Sequence, residues 1–346
     1  MKTLARLENF GLAKFALGAA MSAAIVLTGT AFTSTAYAAE YKWDLANAYG
    51  ATSIHAEGDM VFANELEKLS QGKIKVTVHP GGALGYKSAD HFDAVSDGAV
   101  EIADTPAGFM GGVDAIALLS SVPFLVKTVD DAKILMEVAF NEYEKFFEEN
   151  GQKLLYTSPW PASGIWSKQP VKELANLKEL KIRTYDPGGT NTFKAIGAAP
   201  IQLAWGDVVP QLATGGITSV LTSAEGGVSQ KFVEHTPYFT EINYALPLNF
   251  VHMNKDTFDN LPAELQDAVI AAAKIASDRN WSEVVSRTER NYEQVEKDGG
   301  TLILTGTDKL LDGLAEAGNL ALNDWLKKTG DRGQRIIDAY RARKSQ

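Results

Sequence analysis

The chain has 346 residues, a formal net charge of -10 and no cysteine. Its acidic balance argues against nucleic acid or an anionic membrane as the partner. Without thiols the chain can form no disulfide, no cysteine nucleophile and no cysteine-ligated zinc site.

The first 38 residues have the pattern of a secretory signal peptide. Lys2, Arg6 and Lys14 come first, an apolar stretch follows over about 15–27, and an Ala-x-Ala sequence ends at Ala38. The apolar stretch is shorter than the roughly 20 residues that a membrane-spanning helix needs. We therefore expect cleavage near Ala38 and a mature protein that is soluble in the periplasm and not embedded in the membrane.

Hydrophobic periodicity and turn residues predict alternating strands and helices through the rest of the chain. The predicted strands are 41–46, 73–79, 99–103, 153–157, 180–183, 201–203, 218–221 and a long strand 241–251. The predicted helices are 57–69, 89–96, 130–150, 192–196, 207–213 and a long helix from Pro262 to the glycine pair at 299–300. Such alternation predicts a mainly parallel sheet with the ligand beyond the carboxyl ends of its strands. The loops that begin at Asn47 and Thr105 lie at those ends.

The length of the chain favours two lobes. About 308 residues remain after cleavage near Ala38, which is long for a single hydrophobic core. The passage Pro159-Trp160-Pro161 is predicted to cross between the lobes. We assign 39–158 and about 245–280 to the first lobe, and 159–244 and about 281–346 to the second. The long helix would span roughly 50 Å at 1.5 Å per residue, so we expect it to brace both lobes.

Arg183 is the first candidate for ligand binding, because it ends a predicted strand of the second lobe where that strand opens into the crevice. Its planar guanidinium matches the geometry of a carboxylate. Considered by itself, however, the residue is equally compatible with a surface salt bridge. Trp160, Trp166 and Trp205 lie on segments that border the same crevice, while a tryptophan is more often part of a core. Glu225 could hydrogen-bond a polar ligand or cap a helix.

Catalytic motifs are missing from the sequence, which contains no HExxH, no GxSxG and no Walker loop. Among the five histidines no pair has the spacing of metal ligands on a helix, and His55 alone falls in a loop expected to face a ligand. Pro187-Gly188-Gly189 could offer free N–H groups to an anion, although an ordinary turn is the simpler interpretation. We therefore expect no catalytic residue, no cofactor and no metal site.

Several motifs in the second half of the chain can be matched to a known family. Residues 177–183 read LKELKIR, residues 193–200 read FKAIGAAP, and residues 229–232 read SQKF. They are similar to the DLKGLKIR, FKALGANP and SQKF motifs of TRAP transporter solute-binding proteins of the DctP type. Further matches, which extend the resemblance over nearly the whole chain after residue 38, lie at 73–85, 122–125, 207–215 and 258–262.

This resemblance implies a two-lobed α/β protein with the periplasmic-binding-protein fold, which closes around a carboxylate and delivers it to membrane permease subunits. It implies that Arg183 pairs with the ligand carboxylate and that the helix from Pro262 is the brace. Two departures bear on the ligand. Ser163 stands where many members have a second arginine, and 221–223 (Leu-Thr-Ser) stands where many have Glu-Asn-Pro. Both count against a C4-dicarboxylate or a sialic acid as the ligand and against a bound metal, while Trp160, Trp166 and Trp205 would suit a monoacid with an apolar or aromatic body.

The sequence is therefore expected to encode the periplasmic solute-binding component of a TRAP-type transporter for a small organic acid, and not an enzyme. Arg183 is expected to bind the carboxylate, and Trp160 and Trp205 to pack against the body of the ligand. The other expected ligand contacts are His55, Thr222, Phe250 and Glu225. A periplasmic hydrolase, or a binding protein of another uptake or sensory system, is the alternative.

Overall fold

The computed structural model describes residues 39–304 and 306–345. The expected signal peptide and its cleavage point near Ala38 lie outside these residues. The strands are β1 Tyr41–Asn47, β2 Ile74–His79, β3 Ile102–Pro106, β4 Gln152–Pro159, β5 Ser163–Ser167, β6 Lys181–Thr184, β7 Ala199–Gln202, β8 Ser219–Ser223, β9 Tyr238–Thr240, β10 Leu248–Asn254 and β11 Thr301–Ile303. The helices are α1 Ile54–Leu69, α2 His91–Ser96, α3 Val129–Glu149, α4 Pro187–Ala195, α5 Val208–Thr214, α6 Ala224–Ser229, α7 Lys255–Asp259, α8 Ala263–Lys297 and α9 Asp308–Lys344. None of these helices combines the length and the apolar character that a membrane crossing requires.

The first sheet has the order β2-β1-β3-β10-β4. Its strands β2, β1 and β3 are parallel, as predicted, because helices connect them. Strand β10 is antiparallel to both β3 and β4, so the sheet is mixed and not mainly parallel throughout. This strand returns to the first sheet after the chain has built most of the second one, and it enters from the opposite direction.

The second sheet has the order β11-β9-β5-β8-β6-β7. Strands β6, β7 and β8 are parallel, and β5 pairs antiparallel with β8 and β9. Strand β5 is absent from the predicted elements. All five of its residues are buried, so it lacks the alternation of polar and apolar positions that identifies a half-exposed strand.

Helices cover both faces of the first sheet. Helix α1 begins where the Ser53 hydroxyl accepts a hydrogen bond from the Ala56 N–H, and it places Phe62 and Leu66 in the core. Full burial of each such side chain contributes about 1.5–3 kcal/mol. Helix α3 covers the other face, where its Phe146 and Phe147 are buried. The fold is therefore an α/β layered structure, as predicted.

The long helix α8 packs against both lobes. Its first half buries Val269 and Ala272 in the core under the first sheet, while Val295 near its end lies in the core of the second lobe. Its observed span of 35 residues confirms the predicted brace. Helix α9, which the sequence analysis did not predict, behaves similarly, because Leu314 lies with second-lobe residues and Ile337 with first-lobe residues. The exact lobe boundaries stay a prediction.

The predicted long strand 241–251 is wrong. Strand β9 ends at Thr240 and β10 begins at Leu248, and the residues between them cross from one sheet to the other. Pro247 lacks the N–H that a strand interior needs, and Asn243 has a φ of 48°, in the left-handed region. Both features interrupt an extended ladder although the segment is rich in apolar residues.

Candidate functional site

A cavity lies between the two sheets, with about 550 Å³ of space between its lining atoms, part of it open to solvent. The carboxyl ends of several strands meet there, as expected for a ligand site in an α/β sheet. Both loops singled out by sequence reach it, the first through Tyr49 and the second through residues 106–109. Its lining residues are Tyr49, Pro106, Ala107, Gly108, Phe109, Ser121, Trp160, Ser163, Arg183, Tyr185, Trp205, Thr222, Ser223, Pro247 and Leu248.

Arg183 lines the cavity from β6 and is 3% exposed. Its Nε donates to the Leu203 carbonyl oxygen at 3.1 Å and its Nη1 to the Leu221 carbonyl oxygen at 3.4 Å. Within the part of the chain that the structure describes, no carboxylate lies within 4.0 Å of its guanidinium. Two of its five N–H groups are thus anchored, and three are left for another acceptor.

The electrostatics of Arg183 favour an anion. Burial lowers the pKa of its guanidinium to about 10, so the group remains cationic at neutral pH. A buried charge without a counter-ion is costly, and a carboxylate that enters the cavity would offset that cost. The ring of Trp205 lies 5.6 Å from the guanidinium carbon and that of Tyr185 lies 5.8 Å away, so two π-faces flank the charge.

Aromatic rings, among them the Trp205 ring beside Arg183, form a further part of the cavity wall. The Tyr49 ring centroid lies 4.9 Å from that of Trp160 and 6.0 Å from that of Trp205, both in edge-to-face geometry. Trp160 and Trp205 are each 8% exposed and line the cavity, as expected of ligand platforms. Trp166 is instead fully buried in the second-lobe core, with its Nε1 donating to the Ser223 carbonyl oxygen.

Small polar residues complete the wall. Ser163 and Thr222, the two positions at which the sequence departs from the motifs of many family members, both line the cavity. Of the described lining residues, Arg183 alone is cationic. A ligand with one carboxylate can therefore be neutralised in this cavity, whereas a second carboxylate would meet serine, threonine and aromatic groups.

Three expected contacts do not line the cavity. Phe250 is fully buried on the far face of β10, with its ring 4.8 Å from the Tyr143 ring in the core against α3. His55 lies in the first turn of α1, behind Trp160, at a ring distance of 4.1 Å. The loop in which we placed His55 is shorter than predicted, because α1 begins at Ile54.

Glu225 joins the two lobes instead of facing the cavity. It lies at the start of α6, and its Oε1 accepts a hydrogen bond from the Ile54 N–H at the start of α1, at 2.9 Å. Its other oxygen accepts from Arg287 Nε at 2.9 Å and from Asn291 Nδ2 at 2.6 Å, both on α8. Near the opposite rim, Lys87 Nζ lies 3.6 Å from Asp207 Oδ2. These contacts connect segments of the two lobes beside the cavity.

The start of α4 is not a free anion site. Asp186 caps this helix, and its Oδ1 accepts the Gly189 N–H at 2.7 Å. The passage Pro187-Gly188-Gly189 is therefore an ordinary capped turn, in which a carboxylate of the chain itself already uses the N-terminal donors.

A serine, a histidine and an aspartate come together beneath the cavity without forming a catalytic triad. His55 Nδ1 lies 2.8 Å from Ser158 Oγ and 3.8 Å from Asp104 Oδ2, so both neighbours lie near the same ring nitrogen. A triad needs them on opposite nitrogens. All three side chains are fully buried, and His55 Nε2 has no hydrogen-bond partner in the described structure. Among the described residues no group of three His, Asp or Glu side chains is arranged to hold a metal ion.

Sequence reasoning missed several residues of the site, above all Tyr49, Tyr185 and Asn249. Tyr49 lies two residues beyond β1, in a loop that was expected to face the ligand, so its position was a usable signal. Asn249 lies behind the wall, where its Oδ1 accepts a hydrogen bond from Trp160 Nε1 at 2.8 Å. Nothing in the sequence distinguishes it from other asparagines.

Residues 46–325 match the model of the family described as bacterial extracellular solute-binding protein, family 7, or DctP. The chain belongs to this family. It is a TRAP-type solute-binding protein, and the family is one of binding proteins and not of enzymes. Its two-lobed architecture and its long brace are those that the sequence motifs implied.

Relatives agree with this assignment over nearly their full length. The chain is 29% identical to the ectoine/5-hydroxyectoine-binding periplasmic protein UehA of Ruegeria pomeroyi, over 92% of this chain and 95% of that one. It is 33% identical to DctP6, a Bordetella pertussis extracytoplasmic solute receptor binding pyroglutamic acid, with a TM-score of 0.84 over 87% of this chain and 99% of that one. A marine metagenome TRAP solute-binding protein specific for pyroglutamate is 27% identical, with a TM-score of 0.84 over 88% and 100% of the two chains.

Proposed function

We propose that the protein captures a small, cyclic monocarboxylic acid of the pyroglutamate kind as the binding component of a TRAP transporter. The observation that carries the proposal is Arg183, a buried cation without a carboxylate partner among the described residues, on the wall of a largely aromatic cavity. The solved relatives that bind pyroglutamate share 27–33% of their residues with this chain, which supports the same ligand class.

Binding energies are consistent with this arrangement. A hydrogen bond to a charged group contributes about 1.5–3 kcal/mol, so two bonds from Arg183 to one carboxylate contribute about 3–6 kcal/mol. Micromolar affinity requires about 8 kcal/mol. The balance must come from apolar surface buried between Trp160, Trp205 and Tyr49, and a rigid ring loses less conformational freedom on binding than a linear acid of similar size.

The ligand class can be tested by calorimetry on the purified protein with L-pyroglutamate, ectoine, succinate and D-glucuronate. We expect L-pyroglutamate to bind at least ten times more tightly than succinate, by about 1.4 kcal/mol or more. Ectoine is included because UehA and the ectoine-binding protein TeaA are relatives of this chain. Tight binding of succinate with no binding of L-pyroglutamate would overturn the monoacid proposal, and tight binding of D-glucuronate alone would replace the pyroglutamate class by a sugar acid.

Export, delivery and the lack of catalysis belong to the same proposal. The N-terminal pattern ending near Ala38 supports a periplasmic protein, and family membership supports delivery of the ligand to membrane permease subunits. Mass spectrometry of the protein from the periplasmic fraction should show a chain that begins at or near residue 39. Incubation with L-pyroglutamate should return it chemically unchanged, and a product would revive the hydrolase alternative.

A further inference from the structure

Two carboxylates lie together in the dry interior of the first lobe. Asp59 on α1 and Asp104 on β3 are both 0% exposed. One amide nitrogen, Asn47 Nδ2, lies 2.6 Å from Asp59 Oδ2 and 3.4 Å from Asp104 Oδ2, and the Tyr156 hydroxyl donates to Asp59 Oδ1 at 2.9 Å. Apolar side chains of similar volume would fill such a position at lower cost, so the pair requires an explanation.

No cation neutralises this pair within the part of the chain that the structure describes. His55 Nδ1 lies 3.8 Å from Asp104 Oδ2, but burial and the nearby Arg279 and Arg287 lower the pKa of His55 to about 3, so the ring is neutral. Burial likewise raises the pKa of Asp59 to about 7 and that of Asp104 well above its ordinary value. Two adjacent buried carboxyls of this kind retain a proton between them at neutral pH.

Hydrogen bonds lead from the pair to the cavity wall along two routes. Asn249 Nδ2 donates to Asp104 Oδ1, and Asn249 Oδ1 accepts from the Trp160 indole N–H at 2.8 Å. On the other route, Asn47 binds both carboxyls and its Oδ1 accepts the Tyr49 backbone N–H at 2.7 Å. The first route ends on the Trp160 indole and the second on the Tyr49 backbone, and the rings of these two residues meet at 4.9 Å in the cavity.

We propose that Asp104, paired with Asp59, is a positioning residue for the ligand site, which fixes the Trp160 indole through Asn249 and the Tyr49 loop through Asn47. The amide of Asn249 has only one orientation that serves both neighbours, because Asp104 accepts and the indole donates. The carboxyl pair therefore fixes the orientation of the Asn249 amide, and this amide in turn fixes the orientation of the Trp160 indole. A wall fixed before the ligand arrives loses less side-chain freedom on binding.

This inference rests on the proposed use of the cavity as the ligand site. Its test compares Asp104→Ala, which leaves the Asn249 amide without an acceptor, with Asp104→Asn, which keeps an acceptor oxygen and mimics a protonated carboxyl. Asn254→Ala is the matched control, since Asn254 lies at the far end of the same strand β10, where it caps α7 and donates to the Val95 carbonyl oxygen. Its loss destabilises the same lobe away from the cavity.

We expect Asp104→Ala to weaken L-pyroglutamate binding by about tenfold or more, through loss of preorganisation. The affinities of Asp104→Asn and Asn254→Ala for L-pyroglutamate should stay within about threefold of that of the unmodified protein, which is the range expected of substitutions that leave the ligand site unchanged. Equal affinities for Asp104→Ala and Asn254→Ala at similar losses of melting temperature would overturn the proposal. If Asp104→Ala does not fold, Asn249→Ala takes its place with the same expectation.

A measurement without ligand separates this inference from the proposed function. The near-ultraviolet circular dichroism of tryptophan should change in Asp104→Ala, and the change should vanish when Trp160→Phe is added, because Trp160 is the ring that Asp104 fixes. An unchanged spectrum in Asp104→Ala overturns the positioning role even if pyroglutamate binds well. A spectrum that changes as expected supports it even if pyroglutamate is not the ligand.

Discussion

Replacing Arg183 by methionine should weaken ligand binding and at the same time stabilise the empty protein. The loss in binding follows from two charge-assisted hydrogen bonds to the carboxylate, about 3–6 kcal/mol, which corresponds to about 10²- to 10⁴-fold in affinity. Methionine keeps a similar volume and leaves the aromatic rings of the cavity in place.

The gain in stability follows from the burial of the charge. Burial lowers the pKa of Arg183 from its ordinary value to about 10, so below about pH 10 the folded protein holds a cation that the unfolded chain holds more easily. At 1.36 kcal/mol per pKa unit, that difference costs the folded state roughly 3 kcal/mol. Two hydrogen bonds to backbone carbonyls are lost on substitution, about 1 kcal/mol each, which leaves a net gain of about 1 kcal/mol.

Calorimetry with L-pyroglutamate measures the loss in binding, and thermal unfolding without ligand measures the gain in stability. The net gain should raise the melting temperature by about 1–2 °C in a chain of this length. Arg290→Met is the matched control, because Arg290 is about half exposed and pairs with Glu283 on the same helix, so both quantities should remain unchanged. Unchanged affinity in Arg183→Met refutes its role in binding, and a lower melting temperature refutes the account of its buried charge.

Three further predictions follow from the site. Burial raises the pKa of Asp59, so its ionisation between about pH 4 and pH 7 costs the folded state up to about 4 kcal/mol, and Asp59→Asn should lose less stability over that window. Urea unfolding at pH 4 and at pH 7 measures this loss, and an equal loss in the variant and the unmodified protein would contradict the prediction. Trp205→Ala should weaken L-pyroglutamate binding by about 1.5–3 kcal/mol while lactate, which has no ring, loses little; equal losses in calorimetry would count against the ring contact. Glu225→Gln should speed ligand release about tenfold in stopped-flow fluorescence, because the amide has one acceptor oxygen where Glu225 uses two, so either the Ile54 N–H or the Arg287 Nε–H and the Asn291 amide lose their acceptor; an unchanged rate would show that this contact does not hold the cleft closed.

The sequence was sufficient for the parts of the fold that rest on strong local patterns. Proline at the start and a glycine pair at the end defined α8, and the structure begins that helix one residue after Pro262. Alternating residues located β1 and β2 to within one residue at each end. Elements that are buried on all sides, such as β5, carry no such alternation, and the long helix α9 contains four glycines that obscure its period.

Residues of the cavity wall were predictable where they lie at or near the end of a strand. Arg183, Trp160, Trp205 and Thr222 all reach the cavity, because the carboxyl ends of strands and the crossing after β4 were identified correctly. His55 and Glu225 were selected for the same reason but lie one layer away from it. Their distance from the cavity depends on where α1 begins and on a contact between distant segments, and neither is encoded locally.

Strand β10 shows why such a prediction fails by a single residue. Its side chains alternate between the two faces of the sheet, so a candidate chosen by approximate position has an equal chance of lying on either face. Phe250 was expected to contact the ligand, but it faces α3 in the core. The adjacent Asn249 faces the cavity side, where it links the indole of Trp160 to the carboxyl of Asp104. Asn249 shares this strand with the polar residues His252 and Asn254, so its residue type and position alone did not distinguish it. Its role follows from contacts with Trp160 and Asp104, which come from distant segments of the chain.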